Sequence, residues 1–466
     1  MRALHLLRTG LLATAAAALA ACSMAPKYDR PAAPVPGSWP YPSAVSGTQA
    51  ADVDWRAFFA DARLQRLIAA ALANNRDLRV AVLNIENARA QYDIRSADRY
   101  PTVSAAVTGS RTPAGPDTVT KVYTAGLAVT AWEVDLFGRV KSLSDAALAQ
   151  YFATEEGRKA AQTSLVATVA TTWLALVADD EQLELIRQTM ATREESLRLT
   201  RLRFENGAAS EIDFRQAQSL YESARVAFSQ QQRQRALDLD SLGLLVGEAL
   251  PTDVQTAPST TATITLPDLP AGTPSDVLAR RPDVRQAEEQ LISANANIGA
   301  ARAAFFPRIT LTAAVGSAST ALSGLFKSGT WGWTSAPQAV LPIFDAGRNS
   351  ANLRSANVQR DIAVAQYEKA IQSAFREVAD ALAGRATLGD QLNAQSNVVE
   401  AESVRFKLAQ LRYDNGVASY LDLLDAQRSL FAAQQALIQT RLAQLQNQVG
   451  LYRALGGGWT EIQAAR

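Results

Sequence analysis

His5 and Cys22 are the only histidine and the only cysteine in the 466-residue chain, and both stand near its start. If the first 21 residues are removed, no histidine remains. Imidazole acid–base chemistry, Ser-His-Asp triads and histidine-ligated metals are then excluded together. One cysteine gives no disulfide framework, no C-x-x-C pair and no thiolate cluster. The phosphate-cradling pattern G-x-x-x-x-G-K-[ST] is also missing from the sequence. Carboxylates are what is left, and no pair of them stands in a pocket motif suited to hydrolysis. The chain is expected to be no enzyme and to use no cofactor and no metal. Asp422 and Asp425 are a carboxylate pair of another kind, because a spacing of i, i+3 puts both on one helix face. Two solvated carboxylates in a first helical turn are the plainer alternative. Lys+Arg of 46 against Asp+Glu of 45 leaves no bulk positive charge for nucleic acid.

The N-terminus has the form of a processing signal. Arg2 and Arg8 make a basic stretch, and Leu11 to Ala21 is apolar, alanine-rich and too short to span a membrane. Leu19-Ala20-Ala21-Cys22 resembles a bacterial lipoprotein box, in which the chain is cut before the cysteine and lipid is attached to it. Ser23, rather than Asp, follows Cys22, which by the same resemblance implies the outer membrane. A plain signal peptide cut nearby would leave Cys22 a free thiol. A cut after residue 21 leaves 44 basic and 45 acidic residues, a net charge of −1.

The chain is written twice. Asn75-Arg76-Asp77-Leu78-Arg79 corresponds to Arg281-Pro282-Asp283-Val284-Arg285, and Tyr100-Pro101-Thr102-Val103 to Phe306-Pro307-Arg308-Ile309. Gly138-Arg139 corresponds to Gly347-Arg348, and Leu202-Arg203-Phe204-Glu205-Asn206-Gly207 to Leu411-Arg412-Tyr413-Asp414-Asn415-Gly416. Landmarks in one order at a nearly constant offset mark an internal repeat. Glu248 to Thr273, with four prolines and a β-prone run from Thr260 to Leu266, joins the halves.

Each half predicts helix, β-hairpin, very long helix, turn, helix. Val364, Tyr367, Ile371, Phe375, Val378 and Leu382 form a coiled-coil-like stripe, and Val166, Val169, Trp173 and Leu176 repeat it. From Val140 to Glu205 no proline occurs. At about 1.5 Å per residue that run reaches roughly 100 Å, too long for one small globule, so it must pack beside others in an elongated assembly. In the hairpins, Val103, Ala105 and Val107 alternate with Ser104, Ala106 and Thr108, and Tyr123, Ala125, Leu127, Val129 and Ala131 share one face of the return strand. Ile309, Leu311, Ala313 and Val315 repeat the alternation, with a less regular partner from Trp331 to Leu341. Strands of about ten residues suit a tilted membrane-spanning strand, although soluble hairpins over a helix pair have the same period. Tyr123, Trp331 and Trp333 are placed for a lipid–water boundary. Four strands cannot close a membrane barrel, and open edges are not tolerated in lipid. Two, three or four chains contributing four strands each would close one.

The helix-to-helix turns have local logic. Asn-Gly at 206–207 and 415–416 supplies a left-handed helix stop. Ser210 and Ser419 can cap the next helix, with Asp213 and Asp422 three residues on.

The sequence resembles the outer membrane factor (TolC-like) family, in its NodT-type lipoprotein branch serving resistance–nodulation–division (RND) pumps. The resemblance covers nearly the whole mature chain and rests on these landmarks, on Tyr28-Asp29-Arg30-Pro31, on Trp55, Phe58, Phe59, Asp61, Leu64, Leu67 and Ile68, on Arg280-Arg281-Pro282-Asp283 with Ala287 and Glu288, and on Ile343-Phe344-Asp345-Ala346-Gly347-Arg348. It implies a mainly α fold with a transmembrane β-barrel. Three copies would build an elongated α-helical barrel plus one 12-stranded β-barrel, four strands per chain. The function implied is an outer-membrane exit duct, passively exporting small molecules delivered by an inner-membrane RND-type pump through a periplasmic adaptor. The partners implied are self as homotrimer, adaptor, pump and outer-membrane lipid. Cys22 is the lipidation site. The turns carry over as the adaptor-docking tip, with Phe204, Asn206, Gly207, Ser210, Asp213, Asn415, Gly416 and Ser419. Asp422 and Asp425 carry over as the periplasmic gate, with Tyr413 as part of its latch. The family's latch arginine falls on Ala418, so any latch here must differ. The expected organisation is a signal peptide at 1–21, a lipidated linker at 22–60, a first repeat at 61–247 (hairpin about 102–132, turn 206–210), an equatorial linker at 248–274, a second repeat at 275–456 (hairpin about 308–342, turn 415–419) and a tail at 457–466. A structural coiled-coil envelope lipoprotein without a pore is the rival reading, and membrane-length alternation in both hairpins speaks against it.

Overall fold

The computed structural model describes residues 24–41, 48–115, 118–256 and 260–459. The signal peptide and Cys22 lie outside the described residues. Contacts divide the described residues into two compact units, one drawn from 24–33, 83–156 and 285–370, the other from 34–82, 157–284 and 371–459. The elements are α1 (Trp55–Phe58), α2 (Ala62–Asn74), α3 (Arg76–Ala97), β1 (Val103–Gly115), β2 (Thr118–Glu133), α4 (Arg139–Glu205), α5 (Glu211–Val246), α6 (Thr252–Thr256), α7 (Pro274–Arg280), α8 (Pro282–Ala303), β3 (Arg308–Ser319), β4 (Trp331–Val340), α9 (Arg348–Asp414) and α10 (Tyr420–Ala454). The two long helices α4 and α9 are both 67 residues.

The first unit holds one antiparallel sheet in the order β1-β2-β3-β4. The hairpins of the two repeats join along β2 and β3, from Tyr123 opposite Ser319 to Glu133 opposite Thr310. β1 and β4 are the edges and are exposed along their whole length. At the middle of the central seam Gly126 faces Gly316. A Cβ on Gly126 would lie 2.2 Å from the Val315 carbonyl oxygen, so this approach of two backbones admits no side chain. The expected face of β2 ends early. The pairing shifts between Val129 and Trp132, with Ala131 at φ 50°, so Ala131 leaves the alternation set by Tyr123 to Val129. A bulge of this kind places two residues opposite one and turns the strand.

Residues Met24 to Arg30 run along α8 in the same unit. The Arg302 Nη1 donates to the Met24 carbonyl at 3.3 Å, and the Asn295 amide donates to that of Pro26 at 2.8 Å. The Tyr28 hydroxyl and the Arg30 guanidinium both donate to Glu288, at 3.0 Å and at 2.6 and 2.7 Å.

The second unit contains the main core. Trp55, Phe58, Phe59, Leu64, Leu67 and Ile68 pack with Val166, Val169, Trp173 and Leu176 of α4, Val378 and Leu382 of α9, and Tyr452 of α10. Phe58 stacks on Tyr452 at 4.1 Å, and the Tyr452 hydroxyl donates to the Val53 carbonyl at 2.7 Å. α4 is apolar enough by length and composition for a membrane span, yet these apolar residues are buried against protein.

The single opening helix expected in each half is divided in two, at Asn75 and at Arg281. Both residues are extended, with ψ 130° and 128°. At Arg281 the cause is Pro282, which pushes the preceding residue out of helical geometry. At Asn75 the side chain caps the new helix, accepting from the Leu78 amide at 2.9 Å. The β-prone run at 260–266 forms no strand. Thr261–Thr263 is one 3-10 turn, which the Thr260 hydroxyl caps by accepting from Ala262.

Candidate functional site

The two helix-to-helix turns lie in the second unit and are built alike. Gly207 and Gly416 take φ of 73° and 71°, where a side chain would be strained. Ala208 N–H returns to the Arg203 carbonyl at 2.7 Å and Val417 N–H to that of Arg412 at 2.9 Å, the closure that satisfies the last free carbonyls of a helix. The side-chain amides of Asn206 and Asn415 each donate four residues back, to Leu202 and Leu411, at 2.7 Å. Each next helix starts with a reciprocal capping box. Asp213 N–H donates to Ser210 Oγ at 3.1 Å while Ser210 N–H donates to Asp213 Oδ2 at 3.3 Å. Ser419 and Asp422 do the same, both at 3.2 Å. Asp422 is thus a structural cap, whatever else it does.

Asp422 in the first turn of α10 and Asp425 in the second are both exposed, while Leu423 and Leu424 between them are buried. Those leucines pack with Tyr420, Ala217 and Leu220 in a small core against which Tyr413 and Phe406 rest. The helix face is therefore fixed by burial on one side and leaves both carboxylates free to point away from it. Asp425 is held by Arg405 of α9, whose Nη1 also donates to Glu402 at 3.0 Å and to Ser429 Oγ at 3.2 Å. Hydrogen bonds to Asp425 and then Glu402 hold the Arg405 guanidinium above its ordinary range.

Tyr413 and Phe204 occupy equivalent places but have different neighbours. Phe204 stacks on Phe214 at 5.6 Å and an interplanar angle of 3°. Tyr413 lies 5.4 Å from Tyr420, whose hydroxyl shares a hydrogen bond of 2.8 Å with Ser196. Ala418 puts no guanidinium at the expected latch position, but one arrives from the other turn. Arg203 Nη1 donates to the Tyr413 hydroxyl at 2.5 Å, and the guanidinium carbon sits 5.4 Å from the ring centre. Arg203 ties the end of α4 to the end of α9, and Arg405 ties α9 to α10. Neither was singled out from the sequence, because Arg405 stands in no motif and Arg203 is one position of a repeat landmark with no partner in view. Only the repeat pairing of Arg203 with Arg412 draws attention to that position.

Higher on α4, Arg193 is buried, donates to the Leu220 carbonyl at 3.1 Å and lies 5.1 Å from the Phe431 ring centre. Burial, then the charge of Arg428, pushes its guanidinium below the ordinary range.

The described arrangement has matches among known proteins. A family model described as outer membrane efflux protein matches residues 67–248 and 273–457. The antibiotic efflux pump outer membrane protein ArpC of Pseudomonas putida is 49% identical over 462 residues, covering 97% of this chain and 95% of that protein. The solvent efflux pump outer membrane protein SrpC, also of Pseudomonas putida, is 48% identical over 458 residues, covering 96% and 97%. Among solved structures, the open state of the Neisseria gonorrhoeae MtrE outer membrane channel superposes with a TM-score of 0.86 at 41% identity, covering 94% of this chain and 99% of that one.

Proposed function

The chain belongs to the outer membrane efflux protein family, and on that premise we propose which cargo passes through it, which residues keep it shut and which surface its partners meet. It is the outer-membrane exit duct of a tripartite efflux system, working with an inner-membrane pump and a periplasmic adaptor. The observation that carries this reading is the four-stranded sheet whose two edges lack partners among the described residues, set among relatives that are outer-membrane efflux proteins. An open edge in lipid leaves backbone groups unsatisfied. Three copies close twelve strands, with β4 of each beside β1 of the next. Lipid on Cys22 anchors the chain.

The cargo is small and largely apolar, antibiotics and organic solvents, the classes named for ArpC and SrpC. Selection belongs mainly to the pump. The gate is Asp422 and Asp425, repeated in each copy as a ring of carboxylates that attracts cations. Its supports are their shared exposed face and the ties that hold that face, Arg405 on Asp425 and Arg203 on Tyr413. The adaptor docks on the two turns, at Phe204, Asn206, Gly207, Ser210, Asp213, Asn415, Gly416 and Ser419, where the paired capping boxes present a fixed surface.

Single-channel recording tests the gate. Arg405→Ala and Arg203→Ala should each raise the open probability of the purified protein in planar bilayers, and Asp425→Ala should raise conductance and weaken cation block. Unchanged records for all three would remove the gate from this place. A photo-crosslinker on Ala209→Cys or Ala418→Cys should capture a periplasmic adaptor in exporting cells. Capture of peptidoglycan-bound structural proteins instead would favour an envelope spacer.

A further inference from the structure

The seam between β2 and β3 is a template for the seam between two copies. Where β2 leaves the sheet, Trp132 stands opposite Leu311 and Glu133 opposite Thr310, and Val134 N–H donates to the Ile309 carbonyl at 2.9 Å. Charge closes this end. Glu133 binds Arg139 at 2.8 and 2.6 Å and Arg308 at 2.7 Å. Beside it Phe137 stacks on Phe306 at 4.8 Å.

The repeat supplies the equivalent residues at the free edges. Gly138-Arg139 maps onto Gly347-Arg348, so Trp132, Glu133 and Val134 map onto Leu341, Pro342 and Ile343. Phe306-Pro307 maps onto Tyr100-Pro101, so Arg308, Ile309, Thr310 and Leu311 map onto Thr102, Val103, Ser104 and Ala105. Every charge of the Glu133 cluster except the helix arginine is replaced, Glu133 by Pro342 and Arg308 by Thr102. The same places carry bare apolar surface, with Ile343 94%, Phe344 90% and Tyr100 72% exposed, against 40% for Phe306 in the closed seam.

Resting on the reading of the chain as one part of a multi-copy barrel, we propose that Leu341-Pro342-Ile343-Phe344 of one copy forms an apolar hook over Tyr100-Pro101 of the next, in the register of the internal seam. Leu341 then lies opposite Ala105 of the neighbour, and Ile343 N–H donates to the neighbour's Val103 carbonyl. Pro342 fits this register. Its equivalent, Glu133, precedes a residue that donates across the seam, and neighbouring positions alternate between bonded and non-bonded pairs. The missing N–H of Pro342 therefore falls where no ladder bond is needed. The joint within a chain is ionic and the joint between chains is apolar.

Cysteine pairing tests the register, because opposed residues of an antiparallel pair lie within disulfide range and residues two positions out do not. Leu341→Cys with Ala105→Cys should give crosslinked dimers and trimers at about tenfold the yield of Leu341→Cys with Val103→Cys. Each single variant, which keeps Cys22 in common, should give none above the wild type. A better yield from the Val103 pair, in protein whose native mass is still that of a trimer, overturns the register and leaves the multi-copy barrel standing. A native mass of one chain for the wild type overturns both. Ile343→Ser with Phe344→Ser should cut the assembled fraction at least about threefold while 1 M salt leaves that of the wild type unchanged, as an apolar joint requires. Full assembly of the double serine variant overturns the hook.

Discussion

At the helix break of the first repeat, Asn75 donates to the carbonyl of Leu245 at 2.9 Å. At the break of the second, Arg281 donates to the carbonyl of Ala454 at 2.8 Å. The two acceptors are equivalent residues of α5 and α10 at the 209-residue offset of the long helices and their turns. The same joint between the opening and closing helices is thus made by a neutral amide in one half and by a buried guanidinium in the other. Arg281 brings its own counter-charges, Asp283 at 3.0 and 2.6 Å and Glu377 at 2.9 Å. Burial lowers its proton affinity, but hydrogen bonds and charge from Asp283 and Glu377 outweigh that and hold it above the ordinary range. A repeated backbone does not oblige a repeated interaction, and the ionic copy of a joint is the one that fails harder when one partner is removed.

The hairpins should separate the halves most sharply. Gly126→Val in the first places a side chain into the backbone of β3, whereas Gly332→Val in the second meets nothing within 4 Å. The first should abolish heat-modifiable migration of the outer-membrane fraction and the second should preserve it. Equal behaviour would mean that the β2–β3 approach is looser than described. At the helix breaks, Arg281→Ala should cost about 3 kcal/mol and Asn75→Ala about 1–2 kcal/mol, seen as unequal falls in the thermal midpoint of detergent-purified protein. Equal falls would erase the distinction between the joints.

A third contrast depends on pH. Asp179 of α4 is buried, accepts from Gln231 at 2.7 Å and faces Asp238. Its counterpart in α9 at the same offset is Leu388. Burial, then the hydrogen bond and charge of Asp238, raise the Asp179 carboxyl to about 7. An unfolded aspartate releases its proton near pH 4 (about 3.9). Between those values the folded chain binds more protons than the unfolded one, so this group's contribution to stability falls as pH rises through that window. Asp179→Asn should therefore raise the thermal midpoint at pH 8 and leave it nearly unchanged at pH 4. A gain at pH 4 of the same size would assign the effect to packing. The smallest contrast is expected at the turns, where Ser210→Ala and Ser419→Ala should each cost about 1 kcal/mol. A much larger loss at one turn would reveal a role beyond capping there.

What could be foreseen in the sequence follows the range of the interactions. The two 67-residue helices, their Asn-Gly stops and their capping boxes depend on neighbours within four residues and were legible. So were the strand alternation and, through the repeat, the pairing of landmarks such as Asn75 and Arg281, though not what each contacts. The aromatic and aliphatic run from Trp55 to Ile68 stood out as a family pattern, and the structure gives its cause in packing around Trp173 and Tyr452. The contact of Arg203 with Tyr413 joins residues 210 apart, and that of Arg405 with Asp425 crosses between two helices. No periodicity carries such contacts. The bulge at Ala131 was hidden because alanine suits a regular strand, and only the opposing register exposes the extra residue. The run from Thr260 to Leu266 had strand-forming residues but no partner strand, and β-propensity without a partner yields extended chain.

The equal length of α4 and α9 constrains how the gene can change. Adding one residue within α4 alone would turn everything beyond it by about 100° and advance it by about 1.5 Å. Arg203 would then swing away from Tyr413, and the faces that pack beside α9 would fall out of phase. Insertions and deletions within these helices should be rejected unless matched in both, or made in multiples that restore the phase. Lineages of this chain should therefore vary by substitution along the helices and by length only in the joint at 248–274, the hairpin loops and the termini.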